Sequence, residues 1–518
     1  VNHSSKQAAR TGRSRLALQI SLAFGASAVM FGSSALAATS SDSATTNTFR
    51  DQFINNVVKG TRVHGRAGVY DFRRWHDANK DVDDKRSTAY GGYLDLHTGM
   101  VYGFSAGGEF VYTDNFYDPD SGNWNGNPNL GPASGGSSLT TFSALYGQYN
   151  APGFQARVGR QLVTTPFASN DRFSFNPRSF DGASVIIAPF KWMGKNQSSL
   201  TSNSDQSGQR ATAPSLDMNA FMPLSASDAN GQSWKIYGAK FSRTKYRGQG
   251  DEFSVNNNFY GIDTPGLWSI GTSYRKNTPE GNYIFQAYHH TFQAIQNLEY
   301  VEAGYIAPAK GETNFAPYVR AQYVRADDTD NANAKIQDYG GIKSDIFGLK
   351  VGFKSEYVNG SLQANYSPEH NGTLGDGQML HPYSDLSGFL YTDTMNNGMQ
   401  EIGPGYAVGG SLALKPGYGF GVSVAGDYYH AKEGNGHRFY TLNSGGDASC
   451  ASGPQDVGSE CGSEDSYGIN VGLSYNFGEL DPALSGLHVS NTLGITHFDS
   501  NVEKSTFYDN RLRFYYTF

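Results

Sequence analysis

Five basic residues, Arg320, Lys350, Lys354, Arg511 and Arg513, fall where a two-residue period puts them on the polar side of an extended segment. Phe347, Leu349, Val351 and Phe353 alternate with Gly348, Lys350, Gly352 and Lys354. At the end of the sequence, Leu512, Phe514, Tyr516 and Phe518 alternate with Arg511, Arg513, Tyr515 and Thr517. Rows of cations on the wet faces of strands attract anions and pass them on; they make and break no bonds. Chemistry of another kind is hard to assemble. No serine, histidine and acid combine into a hydrolase site, His289 and His290 lack metal spacing, and no phosphate loop, dinucleotide fingerprint or nucleic-acid patch is present. We therefore expect no catalytic residue, metal or cofactor, and no nucleic-acid partner.

The elements that position such rows must be strands. Tyr467, Ile469, Val471, Leu473, Tyr475 and Phe477 alternate with Gly468, Asn470, Gly472, Ser474 and Asn476, and Leu487, Val489, Leu493 and Ile495 oppose His488, Ser490, Thr492 and Thr496. In a soluble protein an apolar outward-facing last strand is a liability. It suits the closing strand of an all-β transmembrane barrel, with one face to lipid and one to water. Arg or Lys on the lipid face would cost roughly 2–4 kcal/mol at the bilayer midplane, so the basic row belongs in the lumen.

Composition agrees. Aromatics make up 14% and charged residues 17%, against roughly 25% charged in ordinary soluble domains. After residue 37 no apolar run approaches the roughly 18 residues of a spanning helix. Residues 1–37 read as a signal peptide: Lys6, Arg10, Arg13 and Arg15, an apolar stretch from Leu16 to Phe31, then Ala35-Leu36-Ala37 as the cleavage site. Its removal would take four positive charges and no acidic ones, moving the net charge from −7 to −11. Residues 38–60 read as a flexible lead and 61–518 as the barrel.

Short connectors, such as Asn150 to Gly153 and Asn359-Gly360, alternate with long ones, such as Asp114 to Ser138 and Ser367 to Gly405. Segment counting gives about eighteen strands, an even number as closure of antiparallel neighbours favours. The polar insertion after Phe190 has no side assigned by this count. Cys450 and Cys461 share one Gly/Ser/Asp-rich loop, which favours a disulfide over zinc ligation.

One segment resembles a known family. Val158-Gly159, Pro166, Asn170-Asp171-Arg172, then Pro177, Phe180 and Gly182, follow the pattern of the OprD family of outer-membrane porins, the substrate-specific carboxylate channels. Weaker patches lie around Arg66, Tyr70 and Arg73, at Gly375-Asp376-Gly377 and at Asn510-Arg511-Leu512. The insertion after Phe190, the loop cysteines and a terminal Phe518, where many relatives have Trp, depart from it. The resemblance implies eighteen strands, with the third and seventh extracellular loops folded inward as a constriction. It implies Asp171, Arg172 and Arg178 on one inward loop, and Asp376, Asp385 and Asp393 on the other, as pore-constriction or substrate-binding residues.

The expected function is passive, substrate-selective diffusion of small carboxylates or amino acids across the outer membrane. A general or sugar-specific porin, with aromatics in place of a basic row, is the first alternative; a barrel enzyme is a more distant one. The expected partners are small solutes, outer-membrane lipid and lipopolysaccharide, and the barrel-assembly machinery through the C-terminal strand. The assembly is expected to be a monomer or a loose trimer.

Overall fold

The structure, a computed structural model, describes residues 53–58, 60–77, 85–117, 138–172, 174–192, 232–245, 258–259, 262–332, 334–338, 340–384, 389–395, 397–398, 403–432, 464–500 and 504–518. The leader, most of the lead, the insertion beyond Trp192, Asp385 and both cysteines lie outside the described residues. The chain divides into two units. The smaller, within residues 1–62 and 97–106, holds one π-helical turn, Phe53–Val58, in which the Val57 carbonyl accepts from Gly99 N at 3.2 Å.

The larger unit is built from eighteen strands. The first nine are β1 (Arg62–His76), β2 (Lys85–His97), β3 (Phe104–Tyr117), β4 (Leu139–Ala151), β5 (Phe154–Gln161), β6 (Ser179–Ile187), β7 (Gln232–Lys245), β8 (Leu267–Thr278) and β9 (Gly281–Phe292). Then come β10 (Gln296–Ile306), β11 (Ala316–Asp328), β12 (Lys343–Lys354), β13 (Val358–Ser367), β14 (Gly405–Gly417), β15 (Phe420–Ala431), β16 (Glu464–Asn476), β17 (Leu487–Ser500) and β18 (Lys504–Thr517). Sequence neighbours pair, the registers are antiparallel, and β18 returns to β1 with Tyr70 opposite Arg513. Closure leaves no unpaired edge, which is how a sheet this large satisfies its backbone where water is absent.

Alternation gives the wall two faces. Outside, Leu362, Val158 and Ile270 are 68%, 65% and 58% exposed, with Leu349, Val351 and Leu412 beside them. Exterior rings cluster at two levels. Phe420 with Tyr475, Phe315 with Phe353, and Tyr283 with Tyr305 mark one rim; Tyr406 with Tyr428 and Tyr323 with Phe347 mark the other. An apolar band between two aromatic girdles is the pattern of a membrane-crossing barrel. Among the described residues no helix is long and apolar enough to cross a membrane.

Two details differ from the sequence reading. Asn359-Gly360 belongs to β13, not to the turn before it. The turn is Ser355 to Tyr357, because the Ser355 hydroxyl donates to Val358 O at 2.6 Å and accepts from Val358 N at 3.0 Å, while Asn359 Oδ1 accepts from Ser355 N at 3.1 Å. The end of β6, from which the insertion after Phe190 departs, also acquires a side. Ala188 N donates to Gly153 O of the short β4–β5 turn at 2.8 Å, so β6 ends at the rim of short turns.

Candidate functional site

Two connections on the opposite rim fold into the lumen, and by strand order they are the third and seventh there: the one after β5, described at 162–172 and 174–178, and the one after β13, described at 368–384, 389–395, 397–398 and 403–404. The first makes a tight hairpin, Thr164–Thr165 against Ala168–Ser169, with Phe167 at φ 56°. Its Phe167 packs with Tyr300 and Phe389, and Tyr383 of the second loop packs on Phe292. Burying these rings in a cluster that runs from β6 to β12 and on to β14 and β15 holds both loops against the wall.

The loops are joined to each other. Ser169 N donates to Tyr383 O at 3.1 Å, Ser384 Oγ donates to Asp171 at 3.0 Å, and Arg178 Nη1 donates to Pro382 O at 2.9 Å. Arg178 Nε stands 3.8 Å from the Asp171 carboxylate, and both side chains are fully buried. Asp171 and Arg178 thus occupy the junction of the two loops, a place their spacing in sequence did not show. Arg172 is oriented differently. It pairs with the buried Glu109 carboxylate of β3, donates to Phe175 O at 2.9 Å and lies 4.6 Å over the Tyr93 ring. Phe175 in turn stacks on Tyr70 of β1 at 4.0 Å.

The second loop is tied to the wall through its backbone. Asn365 of β13, Asp427 of β15 and Asn470 of β16 accept from the N–H groups of Thr392, Asp393 and Met395 at 2.8, 2.9 and 3.2 Å. Asp393 is half-buried beside this anchor. Asp376 serves its own turn, accepting from Gly372 N at 2.8 Å and holding φ 49°.

All five basic residues of the expected row lie on the inner face, in two separate places. On one face Arg320 of β11 stands directly opposite Lys350 of β12. Arg320 pairs with the buried Glu302 of β10, which also accepts from Gln286 and, at 2.7 Å, from the Tyr391 hydroxyl of the second loop. Burial first, and then the Glu302 carboxylate, raises the Tyr391 phenol above its ordinary range, so it stays a donor. Lys350 lies within electrostatic reach of Asp427 and Asp393 as well, and Lys354 near Arg320 and Arg275.

On the other face, at the β1–β18 seam, Arg511 and Arg74 share the buried Asp509 carboxylate at 2.8 Å each. Arg513 lies 5.0 Å over Phe72 and 5.8 Å over Tyr70, and Arg66 lies 4.1 Å over Tyr515. Sequence reasoning missed Glu109, Glu302 and Asp427 as the acids that hold these cations and loops. Each lies on the inward parity of its strand, but which cation it meets depends on register. Arg157 and Arg160, on opposite parities of β5, are both buried. Gly159 between them sits at φ +123°; Arg157 donates to Gln148 at 2.9 and 2.7 Å, and Arg160 pairs with Asp181 of β6 at 2.7 Å.

No protein-family model and no curated protein matches the sequence. Solved structures do. The chain is similar to OpdK of Pseudomonas aeruginosa with vanillate at 12% identity and TM-score 0.60, covering 89% of this chain and 99% of that one. It is similar to OccK2 (OpdF) of the same organism with glucuronate at 12% and 0.58, covering 89% and 99%. OccAB3 of Acinetobacter baumannii matches at 11% identity and TM-score 0.62, over 89% of this chain and 100% of that one. A closed eighteen-stranded antiparallel barrel is the fold this chain shares with those OprD-type (Occ/Opd) porins.

Proposed function

We propose that the chain is an outer-membrane channel through which small carboxylates diffuse passively. The observation that carries this reading is the placement of cations on two inner faces of a barrel whose lumen two pinned loops narrow. Charges focused in a narrow pore with low-dielectric walls concentrate anions, and several weak sites in series let the solute leave again. The apolar exterior with its two aromatic girdles supports a place in the outer membrane, reached after removal of the leader read in residues 1–37. The neighbours solved with vanillate and with glucuronate both hold carboxylates, which supports the same class here.

Liposome swelling with a panel of amino acids, carboxylates and neutral sugars tests the proposal. Carboxylates should enter faster than sugars of equal size. A response to sugars alone would replace it with the sugar-porin reading.

A further inference from the structure

The outer face of β7–β9 ends in a cluster that takes no part in the lumen. Lys240, Trp268 and Thr291 stand opposite one another as one rung. Trp268 is the second residue of β8 and Thr291 the last but one of β9, so the rung lies at the rim of the inward loops, with exposed Ile270 beneath it. The Lys240 ammonium lies 4.8 Å over the Trp268 ring and donates to the Gln293 carboxamide. Gln293 opens a connection of three residues, 293–295, so β9 and β10 raise no long loop over the cluster. Arg243, exposed on the same strand as Lys240, supplies a second cation, and His289 Nε2 stands 3.3 Å from the Thr291 hydroxyl. The next sector of the rim is closed on itself. There Arg325 pairs with Asp327 at 2.5 Å, and Tyr323 donates to Asp345 at 2.5 Å. Among the described residues no carboxylate pairs with Lys240, whose neighbours are a ring and an amide.

We propose that Lys240, Arg243 and Trp268 form a docking site for the headgroup of a phosphorylated glycolipid in the outer leaflet; the inference rests on the outer-membrane reading above and concerns the lipid side of the same wall. A phosphate monoester carries nearly two negative charges and three strong acceptor oxygens, which a lysine meets as a point charge from any direction. An ammonium held on a ring face keeps its field for an incoming anion, where a carboxylate partner would cancel it. The indole belongs at headgroup level, apolar below and polar above. Acyl chains beneath the headgroup would lie on Ile270, Phe285 and Val301, which are outward and exposed. Charge above and apolar wall below match the two halves of such a lipid.

The test titrates full-length protein in detergent with bisphosphorylated lipid A and with the same lipid after phosphatase treatment, and counts bound lipid by native mass spectrometry. The wild type should favour the phosphorylated form on the order of tenfold, since each basic residue near an anionic surface contributes about fivefold. Lys240→Gln with Arg243→Gln, both at the surface, should bring the ratio toward one, whereas Arg325→Gln in the closed sector should leave it high. Equal binding of the two lipids by the wild type, or a preference that survives the double variant, would overturn the site. Displacement of the lipid by millimolar inorganic phosphate would overturn it too, because the cluster would then hold the ion without the lipid. Carboxylate swelling should be the same in the double variant and the wild type. A wild type that excludes carboxylates yet keeps its lipid preference would refute the channel reading and leave this site standing.

Discussion

Two inner faces of one barrel carry similar numbers of cations and organise them by different means. At the seam, Arg66 and Arg513 lie on ring faces and a single acid, Asp509, serves Arg74 and Arg511. On β10–β12, Arg320 and Lys350 stand opposite each other, a like-charge rung that is unfavourable by itself, and Glu302 of the adjacent β10 and, from further round the wall, Asp427 of β15 offset it. The contrast teaches that a basic row has two ways to survive in a wall. Ring faces leave the field of the cation largely intact, whereas carboxylates cancel part of it and in exchange hold a loop. Glu302 binds Arg320 and Tyr391 together, and Asp427 anchors Asp393 N while facing Lys350.

Removing Glu302 should therefore have the largest effect. Glu302→Ala leaves Arg320, Gln286 and Tyr391 without their shared acceptor and should destabilise the protein by on the order of 3 kcal/mol in denaturant unfolding in detergent. Tyr93→Leu at the seam should cost about 1 kcal/mol, because the cation it covers keeps other contacts. Equal losses would erase the distinction between the two faces.

Next is the double variant Lys350→Gln and Lys354→Gln, which should lower carboxylate flux several-fold and leave neutral-sugar leakage nearly unchanged. The loss should shrink above about 0.15 M salt, where the Debye length is roughly 8 Å. Equal loss of both solutes would mean that the lysines hold the wall. The smallest effect should come from Ser384→Ala, which removes one hydrogen bond between the inward loops. It should cost about 1 kcal/mol and appear as added current noise in single-channel recordings. Quiet currents would show that Arg178 and the Ser169 backbone join the loops without it.

Much of the wall was legible in sequence. The alternation through Tyr467–Phe477 and Phe347–Lys354 marked strands that the sheet contains, and the count of about eighteen strands matched the eighteen in the sheet. Period two is a local property, so a strand reports its own faces. Partners are another matter. Arg320 meets Glu302 only through the β10–β11 register, and Arg172 meets Glu109 across 63 residues. The Ser355 turn was misplaced by a few residues because Asn-Gly is a strong turn signal that the hydroxyl and carboxamide caps of Ser355 and Asn359 override. The junction of Asp171 with Ser384 spans 213 residues, and no spacing rule reaches that far.

Arg74 and Asp509 are 435 residues apart, yet they sit on one rung of the β1–β18 seam. The face made by Arg66, Tyr70, Arg511, Arg513 and Tyr515 therefore does not exist until the first and last strands meet. In kinetic terms it belongs to the final, highest-contact-order event of assembly, when the longest loop closure is made. A chain stalled with its seam open would carry the Arg320–Lys350 face complete and the aromatic one in halves. Protection of Tyr515 and Tyr93 from solvent labelling during refolding should thus appear together and last, a clock for barrel completion written into the seam itself.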